Sequence, residues 1–418
     1  MDFLRMTRVK QKFDAPTLKD IPSDIAMQIE SLELKRKVRP GQTVAIACSS
    51  RGIANYRLIV EATVQSLRNH GLEPFIIPAM GSHGSATAEG QKRVLAHYGI
   101  TEETIGVEIL SSLETVQIGI TAEQLPVYLD KFASQADHIV LINRVKSHTD
   151  FEYEIESGLI KLMAIGLGKQ KGAAQYHQAF FNFGYPRIIL SVANMILGNG
   201  KILFGVATVE NGNCQTAKIG VLKPETLFER EKELLREAKW LEPHLPFEEI
   251  DILFIDEMGK DISGAGIDTK IVGRIHTPLL AEEPKTPDIK RIIIGDLTEH
   301  SEGNAVGVGL ADFVTQRLFA KINKEATYMN ALSGGTPEQA KIPLVLRNDL
   351  EALRVAVNSI GLIDPEAVRL MRIKNTKHLA EIEISSIYKK DLVKRPDLEV
   401  ISVNKSLCFD GQGNLEPF

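Results

Sequence analysis

The feature that most constrains the fold is an alternation of short apolar runs, polar turns and amphipathic segments. The run 43–48 (TVAIAC) is followed by a polar turn, and 56–69 carries apolar residues at helical spacing. A second apolar run at 74–79 leads through another turn to a helical segment at 88–97. Strands that alternate with helices in this way predict βαβ units around a parallel sheet.

The same alternation restarts after residue 246. Apolar runs at 250–255 and 291–295 are typical of buried strands, and 308–322 and 349–359 predict helices. A chain of 418 residues exceeds one ordinary hydrophobic core. We therefore expect an α/β fold of two α/β domains with parallel or mixed sheets. The proline pair at 243 and 246 places their boundary, giving domains 1–246 and 247–418.

Charge and cysteine content restrict the class of protein. The 49 basic and 54 acidic side chains leave a net charge of −5, which argues against a nucleic-acid or anionic-membrane binder. Cys48, Cys214 and Cys408 are far apart and form no disulfide framework, as expected in a reducing cytoplasm. Residues 1–13 lack the apolar core of a signal peptide, and no apolar run approaches the ~20 residues of a membrane span. We expect a cytoplasmic protein.

Lys161 is the most informative residue because it interrupts the apolar run 158–166 (GLIKLMAIG). Burying an ammonium is costly unless the amine is paired, neutralised or used covalently. The alternative is a lysine whose stem packs while its amine stays in water. The segment 146–177, which contains this run, is where we expect the chemistry.

Three polar loops follow predicted strands and contain Arg51, His83 and His148. In parallel sheets the loops at the carboxyl ends of the strands carry function. His83 lies where a helix is predicted to begin, and a helix N-terminus favours the neutral imidazole that a general base requires. A turn histidine that caps or packs is the alternative. Arg51 suits a carboxylate, although a solvent-facing arginine is the ordinary case.

His177 lies 16 residues after Lys161, which is not the spacing of a protein zinc site. It could be a single imidazole ligand to a metal held mostly by another group, or a histidine on a helix face. The helix predicted over 224–241 is rich in charge, and its charges are most simply a solvated face.

Two lysine-containing loops could bind phosphate. The segment 166–172 (GLGKQKG) offers backbone N–H groups near Gly168 and two ammonium groups, those of Lys169 and Lys171. The loop 259–270 offers Lys260 and Lys270 as phosphate or carboxylate partners. Neither is a Walker loop, so ordinary turns remain the alternative.

Taken together, these residues resemble the nickel-dependent lactate racemase family. The likeness is strongest over about 43–180 and more diffuse over 250–305. It rests on His83 in GSHGSAT, His148, Lys161 in SGLIK, and His177.

The resemblance implies two α/β domains with the active site in the cleft between them. It implies nickel and a nickel-pincer nucleotide, pyridinium-3,5-bisthiocarboxylic acid mononucleotide, joined to Lys161 as a thioamide. His177 would be the protein ligand to nickel, and His83 and His148 the two acid/base residues. Arg51 and one of Lys260 and Lys270 would contact cofactor or substrate.

The activity implied is a racemase or epimerase that inverts C2 of a 2-hydroxy acid by hydride transfer. Glycines follow His83 and Arg51 where the family has arginine and proline, which leaves room for an acid larger than lactate, such as a sugar acid. The implied partners are this small substrate and the proteins that make the cofactor, with no nucleic acid or membrane. Two alternatives remain: a cofactor-independent enzyme that uses His83 on a phosphorylated sugar, and a non-catalytic nucleotide-binding or carrier relative.

Overall fold

The computed structural model describes residues 5–50, 52–149, 151–279, 282–362 and 364–418. The chain divides into two compact units, one of residues 15–242 and one of residues 1–14 together with 243–418. Both units contain strands and helices, so the predicted α/β class with parallel or mixed sheets is confirmed.

Fifteen strands are found among the described residues. In chain order they are β1 (Arg5–Gln11), β2 (Thr43–Cys48), β3 (Glu73–Pro78), β4 (Thr115–Ile120), β5 (Pro126–Asp130), β6 (His138–Arg144), β7 (Ile202–Glu210), β8 (Thr216–Leu222), β9 (Glu249–Met258), β10 (Asp288–Leu297), β11 (Phe313–Thr315), β12 (Leu344–Leu346), β13 (Leu370–Ile373), β14 (Glu381–Ser385) and β15 (Leu398–Ser406).

The α-helices of the same residues alternate with these strands. They are α1 (Ile21–Glu30), α2 (Tyr56–Asn69), α3 (Ala88–His97), α4 (Glu102–Ile105), α5 (Lys131–Gln135), α6 (Leu159–Lys161), α7 (Lys169–Phe183), α8 (Tyr185–Gly198), α9 (Leu227–Leu241), α10 (Thr269–Val272), α11 (Gln316–Lys321), α12 (Lys324–Gly334), α13 (Asp349–Asn358) and α14 (Lys389–Leu392). None of them is long and apolar enough to cross a bilayer.

The unit of residues 15–242 is built on a five-stranded sheet with the order β3-β2-β6-β7-β8. The first four strands are parallel and β8 runs antiparallel to β7. Val44, Ile46, Val140 and Ile142 are fully buried from these strands and pack with α2. Because four neighbouring strands are parallel, their carboxyl ends lie along one edge of the sheet.

The second unit contains an eight-stranded mixed sheet with the order β12-β11-β10-β9-β13-β14-β1-β15. The strands from β12 to β13 are parallel, and β14, β1 and β15 add antiparallel pairs. The segment predicted as a helix over 308–322 is instead split, because Phe313 and Val314 pair with Ile293 and Ile294 and only Gln316–Lys321 is α-helical.

The N-terminal strand β1 lies between β14 and β15 in this second sheet. The structure therefore differs from the predicted domain 1–246 in its first 14 residues, which belong with 243–418. Residues near 243 do mark the change from one unit to the other. The last strand, β15, belongs to the same eight-stranded sheet and lies beside β1.

Candidate functional site

The order of the five-stranded sheet brings the loops after β3, β2 and β6 to one edge. His83 follows β3 and His148 follows β6, and both side chains are half-buried. Arg51, predicted in the loop after β2, lies outside the described residues. The edge therefore carries two of the three predicted loop residues.

Lys161 and His148 are in direct contact. Nζ of Lys161 is hydrogen-bonded to Nε2 of His148, across 13 positions of sequence. Lys161 ends the short helix α6 and is half-buried, whereas the flanking Ile160 and Leu162 are buried. A hydrogen bond needs one donor and one acceptor, so an ammonium at Lys161 requires a neutral imidazole with its hydrogen on Nδ1.

The loop that holds His148 is closed on itself. The backbones of Lys146 and Ser157 exchange hydrogen bonds of 3.0 and 3.2 Å. Inside the loop, the buried carboxylate of Glu156 accepts from the backbone N–H of His148 at 2.5 Å and of Tyr153 at 3.1 Å. The ammonium of Lys239 on α9 lies 2.7 Å from the same carboxylate. The backbone at His148 is therefore fixed before any ligand binds.

Aromatic rings link His148 to His177. The His148 ring stacks on Phe151 at 3.8 Å between centroids and 9° between planes. Phe151 lies 3.8 Å from Tyr185, whose ring meets Phe180 edge-on at 5.1 Å. Phe180 in turn meets His177 on α7 at 5.3 Å. Three predicted site residues, His148, His177 and Lys161, thus belong to one connected group of side chains.

Glu231, which the sequence analysis assigned to a solvated face, is buried beneath the helix that carries Lys161. Its carboxylate accepts from the backbone N–H groups of Leu159 at 2.7 Å and Ile160 at 3.2 Å. Gly158 precedes them, and its carbonyl accepts from Nδ2 of Asn143 on β6 at 2.7 Å. Glu231 therefore replaces the missing capping side chain at this helix start.

Burial raises the pKa of the Glu231 carboxyl to about 8, although the bonds from Ile160 and Leu159 lower it. A sequence signal for this residue exists. Glu231 falls at helical spacing with the buried Leu227, Leu234 and Leu235, so it lies on the apolar face of α9.

Directly after Lys161 the helix widens into a π-helical turn, Leu162–Gly166, with a bond of 3.0 Å from Leu167 N–H to Leu162 O. The turn packs against the loop of His83, since a β-carbon at Gly81 would lie 3.2 Å from Ile165 Cγ2. Such π-turns occur frequently at functional sites. The loops of His83 and His148 thus both contact the segment that contains Lys161.

Lys169 does not offer its ammonium to a ligand. Its side chain is 0% exposed, and Nζ donates to Pro78 O at 2.6 Å and Gln91 Oε1 at 3.1 Å. Asp130 Oδ2 lies at 3.1 Å. Two hydrogen bonds and one ion pair thus surround the ammonium. We therefore correct the prediction of a phosphate partner, because Lys169 is part of the internal frame.

The same frame supports His83. Nε2 of Gln91 donates to Gly81 O at 3.0 Å and to His83 O at 3.3 Å, while its Oε1 accepts from Lys169. Lys169 has φ of +53°, a left-handed conformation that costs a side chain on the order of 1 kcal/mol and requires firm support. The buried ion pair supplies that support.

His83 is not at the start of an α-helix, contrary to the sequence analysis. It precedes a 3₁₀ turn, and α3 begins at Ala88 with Thr87 as its cap. The Thr87 hydroxyl accepts from Gly90 N–H at 3.0 Å. Because the helix dipole falls off within one turn, it gives His83 little bias toward the neutral form.

Gly168 is explained by internal packing, since a β-carbon there would lie 2.6 Å from Ala164 O and 3.3 Å from the Tyr176 ring. Lys260 and Lys270 lie in the other unit. The ammonium of Lys260 donates to Gly264 O at 2.5 Å and Asn330 Oδ1 at 2.8 Å, so it closes its own loop. Lys270 is half-buried in α10, and its backbone N–H donates to Asp268 at 3.0 Å.

Within the described ranges, no three His, Cys, Asp or Glu side chains are grouped so that they could hold a metal ion. A metal beside His177 would need most of its donor atoms from another group. The residues that could contribute to a cofactor are thus Lys161, through its amine, and His177, through one imidazole.

Comparison with known proteins gives a family match over the first part of the chain. Residues 3–185 match the lactate racemase N-terminal domain. This range includes His83, His148, Lys161 and His177. No curated protein sequence matches the chain.

Two solved structures are similar. The lactate racemase apoprotein from Thermoanaerobacterium thermosaccharolyticum has a TM-score of 0.52 at 14% identity, over 85% of this chain and 94% of that one. A crystal structure of a Thermotoga maritima protein has a TM-score of 0.46 at 15% identity, over 66% of this chain and 69% of that one. At 14% identity the first likeness shows a shared fold, and the sequence match identifies residues 3–185 as a lactate racemase N-terminal domain.

Proposed function

We propose that the protein is a racemase or epimerase that inverts C2 of a 2-hydroxy acid larger than lactate, such as a sugar acid. The match of residues 3–185 to the lactate racemase N-terminal domain supports the class of reaction. The observation that carries the proposal is the direct contact between Lys161 and His148 at the edge of the sheet. It joins the predicted cofactor anchor to a predicted acid/base residue.

The residues present fit a nickel-pincer nucleotide. A thioamide at Lys161 would be neutral and would remove an ammonium from the buried run around Leu159 and Met163. His177 can give one imidazole, and thiocarboxyl sulfurs could supply the other donors that nickel needs. When bound, this cofactor supplies reversible hydride exchange at the substrate C2.

The two histidines would move the hydroxyl proton. His148, as a neutral imidazole, can accept the proton of the C2 hydroxyl. His83 can then return a proton from the other side of the flat keto acid. Inversion requires groups on both faces of C2, whereas a dehydrogenase needs a base on one face. The fixed loops around both residues would hold them in place between the two half-reactions.

A glycine after His83 supports a substrate larger than lactate. Gly84 has φ of +66°, and a β-carbon there would lie 2.6 Å from Gly90 C and Gln91 N. The family's arginine could not be accommodated by this backbone. The missing positive charge beside His83 favours a longer, hydroxylated acid.

The test is a mass measurement on the Lys161 peptide, from protein made in a host that synthesises the cofactor. We expect an adduct on Lys161 and nickel at about one atom per chain. Candidate hydroxy and sugar acids are then followed by NMR in D₂O for formation of the second C2 epimer. His83→Asn should reduce epimerisation by at least about a hundredfold and keep the adduct, and His148→Asn should reduce epimerisation by at least about a hundredfold as well.

Three outcomes would contradict the proposal. Unmodified Lys161 in fully active protein would favour an enzyme that needs no cofactor. An adduct with no effect of either histidine variant would favour a carrier. Wild-type activity in Lys161→Ala would exclude Lys161 as the anchor of the cofactor.

A further inference from the structure

The contact between Lys161 and His148 also bears on how the Lys161 amine could become a nucleophile, and this inference rests on the proposed function. An ammonium is not a nucleophile, because its nitrogen has no lone pair. A lysine becomes reactive when a neighbouring group takes its proton. Nε2 of His148 is already hydrogen-bonded to Nζ of Lys161, so no movement is needed to bring the base to the amine.

The surroundings hold both partners in that geometry. The backbone at His148 is anchored by Glu156, and its ring is stacked on Phe151. The backbone at Lys161 is anchored by Glu231 through Leu159 and Ile160. Fixing a nucleophile beside its base in advance removes the entropic cost of bringing them together.

We propose that His148 is the base for the modification of Lys161, so that the chain acylates itself there when it meets an activated or thio-substituted pyridine carboxyl group. The same imidazole would thus act first on the lysine and later on the substrate hydroxyl. Once Nζ of Lys161 is acylated, it carries one hydrogen and no charge. His148 then no longer contacts an ammonium.

The reaction balances without an oxidant or reductant. The Lys161 nitrogen forms a bond to the thiocarboxyl carbon, and the carbon–oxygen bond breaks. An ammonium and a thiocarboxylate give a thioamide and one water, with His148 carrying a proton from nitrogen to the departing oxygen. The ordinary pKa of lysine is about 4 units above that of histidine, so the free amine is a minor species, and it attacks the thiocarboxyl carbon after His148 has taken the proton.

The test uses the full chain without nickel or nucleotide. The probe is p-nitrophenyl nicotinate, whose acyl group transfers to an amine with release of p-nitrophenolate. Labelling is read by peptide mass spectrometry at Lys161 and, in the same sample, at Lys35, an exposed lysine that serves as internal reference. We expect Lys161 to react at least about tenfold faster than Lys35, and His148→Asn to remove this excess.

Two further measurements separate chemistry from misfolding. Added imidazole should restore labelling of Lys161 in His148→Ala and leave Lys35 unchanged, and all variants should keep the wild-type unfolding midpoint. Equal labelling of Lys161 and Lys35 in the wild type, or undiminished excess in folded His148→Asn, would overturn the inference. A labelled Lys161 in a protein that never acquires the native adduct would instead refute the proposed function and leave this inference standing.

Discussion

Gly158 lies so close to Glu231 that a β-carbon on the glycine would stand 2.3 Å from Oε1 of the carboxylate. The glycine is needed for this approach and not for its backbone conformation, since its φ is 177°. Its absent side chain lets the carboxylate reach the N–H groups at the start of α6. This pair therefore determines where the helix with Lys161 begins.

Gly158→Ala should destabilise the protein by about 2 kcal/mol or more, because either the carboxylate or the helix start must move. Urea unfolding measures the change. The matched control is Gly198→Ala at the end of α8, where a β-carbon meets nothing within 4 Å. If both variants have the same free energy of unfolding, the close approach of Gly158 to Glu231 does not contribute to stability.

The raised pKa of Glu231 makes stability depend on pH. The pKa rises from 4.5 to about 8 on folding, so the folded state binds more protons between these values. The contribution of protonated Glu231 to the free energy of unfolding is therefore fully present below about pH 4.5 and is lost as the pH rises through about 8. The loss is at most about 1.4 kcal/mol per pH unit. Burial raises the pKa of Asp256 too, to about 6, so the comparison must be with a variant.

Glu231→Gln should lack this contribution, and the wild type should lose stability relative to it between pH 5 and pH 8. Thermal unfolding across this range tests the sign. A parallel pH dependence of wild type and variant would show that Glu231 does not titrate there.

Lys169→Met should cost about 3–5 kcal/mol, because it leaves the charge of Asp130 buried without its partner. The neighbouring Lys131→Met removes the half-exposed pair with Glu114 and should cost less than about 1 kcal/mol. Urea unfolding distinguishes the two variants. A small loss of unfolding free energy in Lys169→Met would argue against a structural role for Lys169 and would favour its assignment to a ligand.

Gly84→Ala should destabilise the His83 loop by about 2 kcal/mol more than Gly41→Ala. Both glycines have positive φ, +66° and +82°, so both variants carry the cost of a left-handed side chain. Only Gly84 adds a collision with the backbone at Gly90. Equal losses of unfolding free energy in the two variants would mean that the loop can yield, and that an arginine could fit there.

His177→Ala tests the metal prediction separately from the anchor. In cofactor-loaded protein we expect nickel content to fall at least about tenfold and the Lys161 adduct to remain. Metal analysis by plasma mass spectrometry and the mass of the Lys161 peptide give the two readings. Full nickel occupancy in this variant would assign the protein ligand to another residue.

Local sequence pattern was sufficient for much of the first unit. The segments 43–48, 56–69 and 88–97 are found as β2, α2 and α3 with the predicted ends. Periodicity and turn residues act within a few positions, so a single sequence carries them. The edge of the sheet with His83 and His148 followed from the same reasoning, since parallel strands align their carboxyl ends.

Contacts between distant positions could not be predicted in this way. Glu231 lies 72 residues from Leu159, whose backbone N–H donates to it. Because Glu231 is charged, the sequence analysis placed it on the solvent-exposed face of its helix and did not consider its apolar neighbours. Lys169 was assigned to a phosphate because its partner Asp130 lies at the end of β5, far from it in sequence. In both cases the missing information was which buried group a charge would meet.

The position of β1 between β14 and β15 has a consequence for biosynthesis. Thr7 pairs with Ile384, so β1 remains without this partner during translation until residues beyond 380 have been made. Residues 15–242 can fold in that interval, since their sheet is complete without it. During translation β1 is an unpaired strand, and a chaperone that shields it would act on this early-made segment and not on the growing end of the chain.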